Sequence, residues 1–125
     1  IKMIAFIIQI LAPPTLHLDF RDKLTIRVGE AFALTGRYSG KPKPKVSWFK
    51  DEADVLEDDR THIKTTPATL ALEKIKAKRS DSGKYCVVVE NSTGSRKGFC
   101  QVNVVGKSYL VERIDLLFFQ KQKWQ

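Results

Sequence analysis

Residues 80–91 read SDSGKYCVVVEN, and their spacing decides the fold. Asp81, Gly83 and Tyr85 fall at every second position, and Tyr85 opens an apolar run that ends at Val89. Side chains alternate across an extended strand, so Tyr85, Val87 and Val89 share one face and Cys86 and Val88 share the other. The first face suits a sheet interior. Asp81-x-Gly83-x-Tyr85 reads as a corner in which the phenol oxygen bonds back to upstream backbone and pins the turn into the strand. After NSTG (91–94), GSRKGFCQVNVV alternates again and places Cys100, Val102 and Val104 together. The two runs predict a hairpin, with Gly94 expected to supply the positive φ of its turn.

Working back from this hairpin, the chain is a succession of short period-2 segments broken by turn residues. TLHLDF (15–20) alternates, and KLTIRVGE (23–30) puts Leu24, Ile26 and Val28 on one face. AFALTGRY aligns Phe32, Leu34 and Gly36, and KVSWFK (45–50) aligns Val46 with Trp48. Between them, the prolines of SGKPKPK force an extended turn and forbid helix. ATLALEKI (68–75) alternates through Leu70 and Leu72, with Ile75 as the next apolar position. No helix-period segment of useful length interrupts the pattern, and the fold class is all-β.

The 125 residues suffice for one compact domain. The net charge of +8 is diffuse: residues 13–105 carry 17 Lys/Arg against 12 Asp/Glu. Nucleic-acid binding would call for a clustered basic stripe, so none is expected. No apolar stretch reaches the roughly 20 residues of a membrane span, so no membrane partner is expected either.

Gly29-Glu30, Leu34, Gly40-x-Pro42-x-Pro44-x-Val46-x-Trp48, Asp81-x-Gly83-x-Tyr85, Asn91 and Gly94 together resemble an intermediate-set immunoglobulin domain. The resemblance covers nearly all of residues 13–105 and implies a two-sheet Greek-key sandwich. GKPKPKVSWFKD and KYCVVVENSTGSRKGFCQVNVV resemble, more narrowly, the modules of the titin, myosin-binding protein C and myosin light-chain kinase muscle family, titin foremost. That family implies an ion pair between Arg60, opening the strand after the acidic loop, and Asp81.

In this alignment the positions that hold the inter-sheet disulfide of extracellular members are Gly36 and Val87, and neither can form it. Cys86 faces out of the sheet and Cys100 faces in. A bridge between them would need Cβ atoms about 4 Å apart from opposite faces. Both thiols are therefore expected free, Cys100 as a small buried hydrophobe and Cys86 as an inert surface thiol. Such a bridge would constrain the unfolded chain by roughly 2–4 kcal/mol. Packing around Leu34, Val46, Trp48, Leu72, Tyr85 and Val87 must offset its absence. A reduced domain suits the cytoplasm, whereas NST (91–93) is an N-glycosylation pattern that argues for secretion.

No arrangement of residues points to catalysis, a metal or a cofactor. His17 and His62 fall on different strands without ligands at metal spacing. DEADVLEDD (51–59) lacks the glycine and spacing of a calcium loop. KPKPK could dock as a polyproline-II ligand, but reads more simply as a solvated turn.

The resemblance implies a non-enzymatic structural and interaction module of a giant sarcomeric protein. Its partners would be neighbouring immunoglobulin or fibronectin modules of the same chain, and sarcomeric proteins docking on edge strands or on the NSTGSRK (91–97) hairpin. Its first and last strands are expected to run to opposite ends, which suits tandem linkage under tension. The alternatives are an extracellular adhesion or receptor domain and the regulatory domain of a muscle kinase.

Residues 1–12 and 106–125 fit no part of the pattern and are expected to lie outside the folded module. IKMIAFIIQILA has only the length of a signal-peptide core and begins without Met, so the chain reads as a fragment. The tail's LLFF makes no clean helical stripe. Both ends read as translated sequence flanking one exon. Gly-Lys after Val105 is what a splice donor gives in this frame, and AFIIQIL resembles a translated pyrimidine tract. The alternatives are a signal core in front and a docking helix behind.

Overall fold

The computed structural model describes residues 10–106. The readings of a signal core, a docking helix and translated flanking sequence bear on residues 1–9 and 107–125, which lie outside the described residues. Nine strands follow in order: β1 (Ala12–Leu18), β2 (Lys23–Arg27), β3 (Phe32–Lys41), β4 (Lys45–Lys50), β5 (Ala53–Asp54), β6 (Thr61–Thr65), β7 (Thr69–Lys74), β8 (Gly83–Asn91) and β9 (Gly94–Val105). A short 3-10 turn, Arg79–Asp81, leads into β8. β1 starts one residue before the expected Pro13, because Ala12 pairs with Lys41.

The strands form two sheets, ordered β1-β3-β7-β6 and β2-β9-β8-β4-β5. The chain changes sheets between β1 and β2. β1 runs antiparallel to β3 in the first sheet, and β2 runs parallel to β9 in the second. Leu24 lies opposite Val102 and Ile26 opposite Val104. The ladder is bracketed by Gln101 N donating to Asp22 O (2.7 Å) and Val28 N donating to Val105 O (3.0 Å). Chain direction is thus the same in the first strand of this sheet and in the last.

The inner faces meet in one core. Leu34, Leu72, Val87, Val89, Cys100 and Val102 are fully buried, with Trp48 and Tyr85 nearly so. Val46 and Ile63 are half-buried against its margin. Tyr85 meets Phe32 edge-on, ring centroids 5.8 Å apart. Such a pair adds about 0.5–1.5 kcal/mol beyond area burial. The Trp48 indole N–H is buried with no acceptor among the described residues.

Four local features differ from the expectations. Ile75 is exposed, because β7 ends at Lys74 and its parity turns Leu70, Leu72 and Lys74 inward. Arg60 stands just before β6 instead of opening it. The acidic loop holds the short strand β5 after a turn with both central residues left-handed, Asp51 (φ 50°) and Glu52 (φ 72°). Gly94 is not among the residues with positive φ. Its hairpin is shaped instead by Asn91, whose Oδ1 accepts from Thr93 N (2.9 Å) and Thr93 Oγ1 (2.8 Å).

The space of a missing bridge is filled. Gly36 and Val87 lie in facing sheets, and a Cβ on Gly36 would stand 2.8 Å from His17 O and 3.2 Å from Leu18 Cδ2. Gly98, opposite Val87 in register, also lies against Leu18. Leu18, at the end of β1, therefore reaches between glycines of both sheets and supplies apolar packing where a disulfide would sit.

Candidate functional site: a paired corner and an unpaired sheet face

The corner before β8 gathers charge inside the fold. Asp81 is 4% exposed. Its Oδ2 accepts from Arg60 Nη1 (2.8 Å) and Lys78 N (2.8 Å), and its Oδ1 from Arg60 Nη2 (3.3 Å). Lys74 Nζ lies 3.4 Å from Oδ1 and donates to the buried Thr61 hydroxyl at 2.7 Å. Burial alone would raise the Asp81 pKa. The Arg60 hydrogen bond, the Lys78 N–H and the Lys74 charge outweigh it and hold the carboxyl at about 2. The Tyr85 hydroxyl donates to Asp81 O at 2.7 Å, and burial, reinforced by the Asp81 charge, pushes its pKa upward. Gly83 completes the motif because a Cβ there would stand 2.6 Å from the Asp51 carboxylate.

Arg60 and Asp81 are thus in contact, as the family resemblance implies. Lys74 is the third member, and the sequence reading missed it. Its signal was strand parity: Leu70, Leu72 and Lys74 alternate, and Ile75 drew attention only because it is apolar.

Both cysteines are free. Cys100 is buried, and burial pushes its thiol pKa up. Cys86 is half-buried on the outer face, opposite Phe49 of β4 and Phe99 of β9.

That outer face carries a shallow groove of about 700 Å³ with an apolar floor of Phe49, Cys86, Val88 and Phe99. Phe99 is 53% exposed. Lys84 and Lys97 stand on the β8–β9 side of the groove, and Asp51 and Glu52 on the β4–β5 side. Lys84 Nζ lies 4.7 Å from the Phe99 ring centroid, a cation–π contact worth about 0.5–1 kcal/mol at an exposed site. Asp51 is fastened to β8 by two bonds of 2.9 Å, Lys84 N to its Oδ1 and its own N to Lys84 O. An exposed aromatic floor with charged rims can bury area against a partner; no arrangement of acid, base and nucleophile accompanies it.

Asn91 has a structural role. Its Nδ2 donates to Ala12 O (2.9 Å) and Pro42 O (3.0 Å), tying β1 and the β3–β4 turn to β8. A glycan on that nitrogen would leave it a single N–H and so remove at least one of the two bonds. His17 and His62 are exposed on opposite edge strands of the first sheet. The acidic loop's carboxylates serve backbone: Glu57 accepts from Ile63 N (2.7 Å) and Asp58 from Arg60 N (2.8 Å). Among the described residues no group of three His, Cys, Asp or Glu side chains converges on a metal position. No helix among them is long and apolar enough to cross a membrane.

Comparison with known proteins agrees with this architecture. The immunoglobulin I-set domain family matches residues 18–104. Human SPEG neighbor protein is 41% identical over 83 residues, covering 66% of this chain and 35% of that protein. Human hemicentin-1 is 32% identical over 100 residues, 78% of this chain and 2% of that protein. Muscle M-line assembly protein unc-89 of Caenorhabditis elegans is 35% identical over 85 residues, 67% of this chain and 1% of that protein. The chain therefore spans only about a third of the first of these relatives and 2% or less of the other two. Among solved structures, titin domains z1z2 in complex with telethonin superpose with a TM-score of 0.70 at 28% identity, over 78% of this chain and 49% of that one. The two-sheet sandwich, the tyrosine corner and these matches place the chain in the immunoglobulin I-set family.

Proposed function

We propose that this chain is a structural and docking module of a giant muscle protein, a cytoplasmic element of a tandem array that carries tension and scaffolds partners in the sarcomere. The observation that carries the reading is the parallel pairing of β2 with β9. The chain runs through both strands in one direction, so the module is entered at one end and left at the other. Tension along the array then pulls the two strands past each other and loads their hydrogen bonds together instead of one by one. Neighbouring immunoglobulin or fibronectin modules of the same chain would be its first partners, and sarcomeric proteins its further ones.

Two further points support this reading. Similarity to a muscle M-line assembly protein and to titin domains solved with telethonin suits a sarcomeric setting. The Asn91 amide is engaged with two carbonyls, which weighs against glycosylation of the folded domain and so against an extracellular role. No cofactor or catalysis enters the proposal. An antibody raised against the folded chain is expected to label permeabilised striated muscle in bands at the sarcomere repeat. Labelling of intact, unpermeabilised cells or of the surrounding matrix would overturn the reading.

A further inference from the structure

The outward side chains of β8 are Lys84, Cys86, Val88 and Glu90, a cation and an anion flanking two apolar residues. β4 lies beside it in antiparallel register, with Lys45 opposite Glu90, Ser47 opposite Val88 and Phe49 opposite Cys86. Asp51 continues β4 at the level of Lys84. Each strand thus bears opposite charges at its two ends, and the two strands run in opposite senses. Reversing the face end for end lays Lys84 over the position of Glu90, and Asp51 over the position of Lys45. These four charged side chains are exposed, and none belongs to an ion pair among the described residues. The buried corner, by contrast, pairs every charge it holds.

We propose that this face binds a second copy of the chain. A two-fold axis lying in the interface, perpendicular to the strands and between the Cys86 and Val88 rows, makes the contact isologous. Lys84 of each copy meets Glu90 of the other, Asp51 meets Lys45, and Cys86 packs on Val88. Phe99 of each copy meets Lys97 of the other, because Cys86 lies opposite Phe99 and Val88 opposite Lys97 in the β8–β9 register. The outer sheets then pack face to face at about 10 Å with strands antiparallel across the interface. From Lys84 to Glu90 the face is roughly 20 Å long. Three strands wide, it buries on the order of 600–800 Å² in total, below the ~1,200–2,000 Å² of stable complexes. Association is therefore weak for free chains, and it becomes appreciable where copies are held close together. The inference stands independently of the proposed sarcomeric role.

Sedimentation equilibrium of the full chain under reducing conditions, from about 0.05 to about 2 mM, tests it. The expected result is a reversible monomer–dimer equilibrium. Lys84→Glu and Glu90→Lys should each weaken it at least about tenfold, because each places like charges together twice in the symmetric contact. An equimolar mixture of the two variants should restore it, since both contacts are then opposite in sign. This mixing readout also separates lost pairing from lost folding. A chain that stays monomeric throughout overturns the proposal and leaves the face to a partner of different composition. Association that neither variant weakens, or that mixing fails to restore, overturns it as well, by locating self-contact elsewhere.

Discussion

Strand β8 has two chemistries, one on each side. Its inner side carries Tyr85, Val87 and Val89 into the core, beside a corner where Asp81, Arg60 and Lys74 neutralise one another out of water. Its outer side carries Lys84 and Glu90 in solvent, neither in an ion pair among the described residues, flanking an apolar floor. The same residue types therefore do different work on the two sides of one strand, because alternation decides which solvent they see. A charge on the inner side is expensive unless paired, and so fixes the fold. A charge on the outer side costs the fold little and is free to select a partner.

The largest expected effect lies on the inner side. Asp81→Ala leaves the Arg60 guanidinium and the Lys74 ammonium in a partly closed site, and denaturant unfolding should show a loss of about 3–5 kcal/mol. Gly36→Ala should cost about 1–3 kcal/mol by forcing a methyl against His17 O and Leu18; an unchanged midpoint would show that Leu18 moves aside freely.

Acid should act through the same carboxylate. Its folded pKa, about 2, lies below the unfolded value of 3.8, so its stabilisation is complete above pH 4 and fades as pH falls towards 2. The wild type should lose about 2 kcal/mol more than Asp81→Asn across that window. Tyr85→Phe removes only the bond to Asp81 O, for about 1 kcal/mol. On the outer side, Lys84→Glu gives up only the contact with the Phe99 ring and should stay within about 1 kcal/mol of wild type in thermal unfolding. A large loss there would erase the contrast between the two faces.

What could be read from the sequence was what local periodicity controls. The inward set Tyr85, Val87 and Val89 follows from period 2, and so do the opposite orientations of Cys86 and Cys100. The corner follows from Asp81-x-Gly83-x-Tyr85. Features that need two distant segments were hidden. Lys74 reads as a surface lysine until Asp81 is seen beside it, and the space for Leu18 needs Gly36 from one sheet and Gly98 from the other. The β4–β5 turn was obscured because Asp51 and Glu52 adopt a conformation that usually selects glycine or asparagine. The mirrored charges of β4 and β8 become visible only once Lys45 is known to lie opposite Glu90.

The central claim is that tension passes through the parallel β2–β9 ladder. Single-molecule force spectroscopy on the chain held at its two ends tests it directly, comparing Val28→Pro with Val28→Ala. Proline removes the Val28 N–H bond to Val105 O, and alanine trims the side chain while keeping that bond. One cooperative rupture is expected, with Val28→Pro unfolding at clearly lower force than Val28→Ala. Equal rupture forces in the two variants would contradict it and place the mechanical resistance elsewhere in the sandwich.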